Sequence, residues 1–214
     1  MTKRTHPTWS WVVALLGMIM ASTLANATTF QKEATIVDLL QQSDLIVRGT
    51  VTSVTDGIDN RGIPYTEVKL QVNETLRGQV GKEYTFRQFG LIKPHDMGNG
   101  TVNLMVTPAG WATYSKGEDT ILFLRKPAAW TGLQTTAALG AGKFKVAMAG
   151  ATNQANNVGL FKNVVVKPSL LGTKEQRAML TAIGPVNVNA FVSLIRQAVQ
   201  NQWVEKGSMR LAEK

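Results

Sequence analysis

The chain has 214 residues, of which 44% are hydrophobic and 17% are charged, and its formal net charge is +9. This composition is typical of a globular protein and excludes a disordered chain. Cysteine is absent. Its absence excludes disulfide bonds, thiolate metal sites, a cysteine nucleophile and the lipid anchor of a bacterial lipoprotein.

The N-terminal segment has the features of a secretory signal peptide. Two basic residues precede an apolar run from Trp11 to Ala21, and Ala25-Asn26-Ala27 resembles a cleavage site. We expect cleavage after Ala27, which lowers the net charge from +9 to +7. The alternative is an uncleaved anchor, but the apolar run is shorter than the ~20 residues that span a bilayer. We therefore expect export to the periplasm or the extracellular medium, with no integral membrane span after cleavage.

The next part of the chain predicts a short helix and three strands. Thr35 and Asp38 have the spacing of a capping box, which predicts a helix ending at Gln42. Apolar and polar residues alternate in the second strand, so we expect it to have one buried face. Gly49, within the first strand, predicts a bulge, a bend or a close backbone approach. The predicted strands are Leu45–Val54, Tyr65–Thr75 and Glu83–Phe89.

A long loop is predicted from Gly90 to Lys116, with one short apolar piece at Val102–Val106. A strand buried on both faces is predicted at Thr120–Arg125. The remaining predicted elements are a hairpin of Leu133–Leu139 and Lys143–Met148, an exposed loop Ala149–Gly159, a strand Leu160–Val166, a helix with a capping box at Thr173 and Gln176, a last amphipathic helix starting near Asn187 or Asn189, and a frayed polar tail from Lys206.

These elements predict a mainly β fold. We expect a small closed barrel of the oligonucleotide/oligosaccharide-binding (OB) type, with one N-terminal helix and two C-terminal helices. The expected domain organisation is a signal peptide over residues 1–27, an OB-like β-barrel domain over residues 28–168 and a C-terminal helical segment packed on the barrel over residues 169–214.

Several short motifs occur in an order that resembles other proteins. They are Asp44-Leu-Ile-Val-Arg-Gly-Thr-Val51, Tyr65-Thr-Glu-Val-Lys-Leu-Gln-Val72, Leu76-Arg-Gly78, Lys116-Gly-Glu-Asp-Thr-Ile-Leu-Phe-Leu124 and Gly142-Lys-Phe-Lys-Val146. This order resembles a group of uncharacterised secreted bacterial proteins. More distantly, it is similar to the OB-like barrel of netrin-like and metalloproteinase-inhibitor (TIMP-like) domains. The resemblance covers Ala34 to Val146 and implies the fold. The inhibitors reach a catalytic zinc through an N-terminal cysteine that this chain lacks, so the resemblance implies no inhibitory mechanism.

Two candidate reactive sites are better interpreted as ordinary loop residues. His95 stands beside Asp96, but no nucleophile motif accompanies it. Asp56, Asp59 and Asn60 offer oxygen ligands, but their spacing is not that of an EF-hand and such residues commonly form turns. We therefore expect no catalytic residue, no metal and no cofactor. An enzyme of unrecognised type remains the less favoured alternative.

The preferred contact region is the predicted loop Gly90–Lys116. It contains aromatic residues that have an apolar ring and a polar handle, as interface residues often have. The possible contact residues are Trp111, Tyr114, Lys93 and Arg87. The expected function is a non-enzymatic binding module for an envelope or extracellular protein. Trp111 is equally compatible with a core position under the barrel rim.

The net positive charge supports a second hypothesis, in which a basic surface binds an anionic glycan, lipopolysaccharide or nucleic acid. Tyr84 and Phe86 share one face of a predicted strand, where exposed aromatics would stack on bases. Two aromatics on a strand are more often part of the core. A steep loss of binding with added salt would distinguish binding of a polyanion from binding of a protein.

Overall fold

The computed structural model describes residues 33–153 and 156–213, so the predicted signal peptide lies outside the described residues. The described chain is mainly β, with ten strands and three α-helices. The helices are α1 (Ile36–Gln42), α2 (Lys174–Met179) and α3 (Val188–Gln200). The strands are β1 (Leu45–Ile58), β2 (Pro64–Arg77), β3 (Glu83–Phe89), β4 (His95–Asp96), β5 (Val102–Asn103), β6 (Asp119–Leu124), β7 (Lys143–Ala147), β8 (Gly150–Asn153), β9 (Val164–Val166) and β10 (Met209–Leu211).

Six of the strands form one antiparallel sheet in the order β3-β2-β1-β6-β7-β8. Strand β1 pairs with β2 on one side and with β6 on the other. Strands β4 and β5 form a two-stranded hairpin, and β9 pairs with β10. Within residues 33–153 and 156–213, no ladder joins the edge strands β3 and β8, so the expected closed barrel is not found among the strand pairs.

The alternation predicted for the second strand is confirmed, because Thr66, Val68 and Leu70 are buried in β2. The prediction for Gly49 is also confirmed. The register between β1 and β2 shifts at this residue, and a Cβ atom there would lie 2.5 Å from the carbonyl oxygen of Gln71. Only a glycine lets the two strands approach so closely.

The sheet is covered on both faces. One face contributes Val47, Val68 and Phe86 to an inner apolar cluster. The other face packs against the helices, with the ring of Phe144 4.9 Å from the ring of Phe191 in α3. Strand β6 is buried on both faces, as its run of apolar residues predicted. The sheet therefore separates two apolar clusters.

The predicted helix starts are confirmed by their caps. The side chains of Thr35 and Asp38 bond to each other's backbone N–H at the start of α1. Thr173 and Gln176 make the same reciprocal pair at the start of α2. In α3 the side chain of Asn187 accepts a hydrogen bond from a backbone N–H of the first turn. Each of these side chains satisfies a backbone donor that has no partner within its helix.

The predicted strand Leu133–Leu139 is wrong. Ala138 and Leu139 have φ values of 47° and 55°, which end extended structure and begin a 3₁₀ turn at Leu139–Gly142. Strand β7 pairs instead with β8 (Gly150–Asn153), which lies in the predicted exposed loop Ala149–Gly159. That loop prediction is wrong for these four residues.

The predicted frayed tail from Lys206 is also wrong. Strand β10 (Met209–Leu211) pairs with β9 (Val164–Val166), and Met209 is fully buried. Strand β9 covers only the end of the predicted strand Leu160–Val166. The C-terminal segment therefore contains a strand as well as two helices.

Candidate functional site

The predicted loop Gly90–Lys116 contains the hairpin of β4 and β5. Residues 92–106 are referred to below as the apolar hairpin. Two residue pairs join β4 to β5, and the N–H of Met97 donates to the carbonyl oxygen of Thr101 at 3.0 Å across the turn. This segment is therefore an ordered hairpin within the long predicted loop.

The base of the apolar hairpin is fixed to the sheet, where the N–H of Gly90 donates to the carbonyl oxygen of Pro64 in β2 at 3.1 Å. Leu91 is fully buried, and its N–H donates to the carbonyl oxygen of Met105 at 2.9 Å. The N–H of Thr107 donates to the carbonyl oxygen of Leu91 at 2.8 Å. Gly90 has a φ of +100°, and a Cβ atom there would lie 2.5 Å from the Cα of Thr107. These contacts hold the two arms in a defined position.

Six large apolar side chains of the apolar hairpin are exposed to solvent. Their exposed fractions are 55% for Ile92, 45% for Met97, 54% for Val102, 71% for Leu104, 50% for Met105 and 39% for Val106. They are half of the twelve large exposed hydrophobic residues of the described chain. Exposed apolar surface is thus concentrated on one short segment, as it is at interaction sites.

The turn of the apolar hairpin differs from its arms. Gly98, Asn99 and Gly100 form the turn, and the side chain of Asn99 accepts hydrogen bonds from Thr101. Five of the six exposed apolar residues lie outside residues 97–101, on the arms. The apolar surface is therefore along the sides of the hairpin.

Two of the predicted contact residues retain accessible surface in this region. Lys93 is exposed on the apolar hairpin. Trp111 is half-buried, with its ring centroid 6.4 Å from that of Phe89 at the end of β3. Trp111 therefore packs on the sheet while part of its ring stays accessible.

Tyr114 has a different orientation from the one expected of a contact residue. Its ring packs edge-on against Phe86, with 5.6 Å between the ring centroids. Its hydroxyl group is buried and has no hydrogen-bond partner among the described residues. Burial raises the pKa of Tyr114 far above its usual value, and the negative charge of Glu118 adds to this effect. The polar handle of Tyr114 thus points into the protein.

Arg87 pairs with side chains of the neighbouring strand β2. Its guanidinium lies 4.3 Å from the ring centroid of Tyr65, and its Nε–H donates to Oε2 of Glu67 at 2.9 Å. Of the four predicted contact residues, Tyr114 is thus the one whose polar group is buried, and Arg87 is exposed on β3.

A polar groove of about 740 Å³ runs beside the segment that precedes β6. In its wall, Nζ of Lys143 donates to both carboxylate oxygens of Glu118 at 2.8 Å. These two side chains are only 13% and 8% exposed. Burial lowers the pKa of Lys143, and the hydrogen bond to Glu118 opposes this shift. Lys116 and Lys145 also line the groove, as does Asp119, which pairs with Arg48 at 2.7 Å.

The loop residues considered for catalysis or metal binding lie apart from the groove. His95 is exposed on β4. The carboxylate of Asp56 accepts a hydrogen bond from the N–H of Ile92, and that of Asp59 accepts one from the N–H of Arg61. Across residues 33–153 and 156–213, no cluster of three or more His, Cys, Asp or Glu side chains has the arrangement of a metal site.

Trp130 is a candidate binding residue that the sequence reasoning missed. It lies in the turn after β6 and is 75% exposed. The guanidinium of Arg61 lies 5.2 Å from its ring centroid. A tryptophan between Pro127 and Gly132 is the sequence signal that would have found it, because these residues indicate an exposed turn.

The chain matches no model of a known protein family, and a search of curated proteins finds no match either. In the described part of the chain, every helix is too short or too polar to cross a membrane.

Proposed function

We propose that the chain is an exported, non-enzymatic binding module that contacts an envelope or extracellular protein through the loop 90–116. The observation that carries this proposal is the concentration of exposed apolar side chains on the apolar hairpin. Protein interfaces combine an apolar centre with a polar rim. The arms supply the apolar centre, and Lys93 and Trp111 supply charge and aromatic surface beside it.

The distribution of apolar residues favours a protein partner over a membrane. A hairpin that enters a bilayer with its tip first needs an apolar tip, because unsatisfied polar groups are costly in hydrocarbon. Here the turn residues Gly98, Asn99 and Gly100 are small or polar, and the apolar residues lie on the arms. This arrangement fits sideways packing against a groove in another protein. The fixed base at Leu91 lowers the entropy lost when the partner binds.

We also propose that the sheet is part of an OB-like barrel similar to the netrin-like and TIMP-like domains. The segment between Gln134 and Ala137 supports this idea, because it bonds to both β6 and β3. The N–H of Arg125, next to β6, donates to the carbonyl oxygen of Thr135 at 3.0 Å. The N–H of Gln134 donates to the carbonyl oxygen of Arg87 in β3 at 2.8 Å. A barrel of β1, β2, β3 and β6 closed by this segment accounts for both bonds.

The polar groove supports a second candidate function, binding of an anionic polymer. Lys116 and Lys145 line the groove. The positive charge of Lys143 is already paired with Glu118, and Asp119 lies in the same groove. This balance of charges favours the protein partner, but the groove is where a glycan, lipopolysaccharide or nucleic acid would bind.

The test compares capture of partners by the wild-type protein and by a variant of the apolar hairpin. The variant carries Val102→Ser and Leu104→Ser, which remove two exposed apolar side chains. The matched control is Ile183→Ser, since Ile183 is 78% exposed outside the hairpin. Each protein is cross-linked in envelope and culture-medium fractions, purified at moderate salt and analysed by mass spectrometry.

We expect one protein to be captured by both the wild type and the control. The amount captured by the hairpin variant should be lower by at least about tenfold. Truncating two anchor side chains at an interface lowers the affinity by this factor or more. Equal capture by all three proteins would place the contact elsewhere. Capture of polyanions alone, lost with added salt, would support the second candidate function instead.

A further inference from the structure

The turn between β6 and the segment at Gln134 presents one tryptophan to solvent. Trp130 is 75% exposed, whereas the side chain of Trp203 is buried and Trp111 is half-buried. The turn is closed by two hydrogen bonds of 2.8 Å, from Gly132 N–H to the carbonyl oxygen of Ala128 and from Ala128 N–H to that of Leu133. The exposed indole is thus carried by a well-defined turn.

Arg61, from the turn between β1 and β2, holds this tryptophan in place. Its guanidinium lies over the indole, 5.2 Å from the ring centroid, and its Nη1 donates to the carbonyl oxygen of Trp130 at 2.8 Å. Asp59 accepts a hydrogen bond from Nε of the same guanidinium at 3.2 Å. Because Arg61 covers only one face of a ring that is 75% exposed, the opposite face is accessible.

A second arginine–aromatic pair lies nearby on the sheet. Arg87 lies over Tyr65 and bonds to Glu67. The bond to Glu67 is the main reason that the pKa of Arg87 is raised, and the negative charge of Asp59 also contributes. Asp59 therefore acts electrostatically on Arg87 while it bonds to Arg61. The six residues Trp130, Arg61, Asp59, Tyr65, Arg87 and Glu67 are referred to as the tryptophan patch.

The charges of the tryptophan patch are balanced. Arg61 is paired with Asp59 at 3.1 Å, and Arg87 is paired with Glu67 at 2.9 Å. Lys69, 3.9 Å from Glu67, adds one positive charge at the edge. Two arginines that are already neutralised by carboxylates attract a polyanion poorly. The same paired groups still offer donors and acceptors to a neutral ligand that carries hydroxyl groups.

We propose that the tryptophan patch binds a neutral saccharide. The face of an indole is electron-rich, so it attracts the polarised C–H bonds on one face of a sugar ring. The carboxylate of Glu67 accepts hydrogen bonds from sugar hydroxyls, and the free N–H groups of the two guanidiniums donate to them. Asp59 already accepts four hydrogen bonds from Arg61 and Ile63, so its role is to orient Arg61. This site is distinct from the apolar hairpin and takes a different class of ligand.

The test is isothermal titration calorimetry of the purified full protein with neutral oligosaccharides. The probes are hexasaccharides of cellulose, chitin and starch, and each is titrated at about 50 mM and at about 500 mM salt, since salt screens charge interactions. A single-stranded oligonucleotide is the polyanion probe. The variants are Trp130→Ala, the conservative Trp130→Tyr, and Ile183→Ala as a control with another exposed side chain.

We expect at least one hexasaccharide to bind with an affinity that changes little between the two salt concentrations. Trp130→Ala should weaken it about tenfold, as loss of a strong aromatic contact does, while Trp130→Tyr and Ile183→Ala retain it. The proposal is overturned if no hexasaccharide binds the wild type, or if Trp130→Ala leaves binding unchanged. Binding of the oligonucleotide alone, lost at high salt, would also overturn it.

Discussion

The buried ion pair of Lys143 and Glu118 gives the sharpest test of the packing beside the polar groove. The perturbation is Glu118→Gln, which keeps the shape of the side chain and removes its charge. The ammonium of Lys143 then stays in a site where only 13% of its side chain is exposed. It keeps two neutral acceptors, the carbonyl oxygen of Thr113 and the amide oxygen of the substituted side chain at position 118.

The expected loss in the free energy of unfolding follows from this geometry. Removing one partner of a buried ion pair costs about 3–5 kcal/mol, because it leaves an unpaired charge. The remaining hydrogen bonds to neutral acceptors place the expected value at the lower end, about 3 kcal/mol. Adding Lys143→Met to Glu118→Gln removes the stranded charge, so the double variant should recover about 1 kcal/mol or more relative to the single variant.

The assay is urea unfolding at pH 7, followed by tryptophan fluorescence. The matched control is Glu33→Gln, which breaks an exposed ion pair of similar length, 3.0 Å between Glu33 and Lys162. Their side chains are 45% and 66% exposed, so the expected loss is below about 1 kcal/mol. If Glu118→Gln costs no more than Glu33→Gln, the pair is well hydrated and the reasoning from burial is wrong.

The pH dependence of the same variant has a definite sign. Burial lowers the pKa of Lys143 in the folded state relative to the unfolded value of about 10.4. Between these two values the unfolded chain binds more protons, so the free energy of unfolding rises with pH. Glu118→Gln removes the carboxylate that favours the protonated form of Lys143, so the pKa of Lys143 in the folded state falls further. The pH range over which the free energy of unfolding rises therefore becomes wider. The difference in the free energy of unfolding between the wild type and Glu118→Gln should therefore shrink as the pH rises from about 8 towards 10. The double variant has no lysine at position 143, so it should lack this trend.

The remaining predictions use the same unfolding assay, and the last one also uses the partner-capture assay. Gly49→Ala should lower the free energy of unfolding by about 1–3 kcal/mol, because its Cβ would lie 2.5 Å from the Gln71 oxygen; an unchanged value would mean that β1 can shift freely. Tyr114→Phe should leave it unchanged or raise it by up to about 1 kcal/mol, and a clear loss would reveal a partner for its buried hydroxyl. Met209→Asp should cost about 3 kcal/mol or more, whereas a frayed tail would tolerate the change. Trp111→Ala should weaken partner capture and cost about 1 kcal/mol, and global unfolding would identify Trp111 as core.

Local patterns in the sequence predicted the parts of the fold that depend on neighbouring residues. Thr35 and Thr173 each have their capping partner three residues away, so the helix starts could be found from spacing alone. The alternation in β2 identified its buried face, and Gly49 marked the site where β1 approaches β2 closely. Each of these features is determined within one element or one pair of strands.

The wrong predictions have causes that local patterns do not contain. The left-handed backbone at Ala138 and Leu139 occurs in residues with no preference for it, so nothing in the sequence marked the end of extended structure. Strand β10 depends on pairing with β9, more than 40 residues earlier in the chain. Polar neighbours such as Lys206 made the tail appear mobile, although Met209 is buried.

The apolar hairpin shows why the candidate contact region was only partly predictable. A run such as Val102–Val106 has the same pattern whether the fold buries it or exposes it, so its exposure is known only from the structure. Exposed apolar strands promote edge-to-edge aggregation, so a protein has to limit this risk. Strands β4 and β5 are only two residues long, which leaves little free edge, and Gly98 and Gly100 lie in the turn that separates them. An apolar surface that is held by a fixed base and protected from edge pairing is better explained by a partner that covers it than by chance.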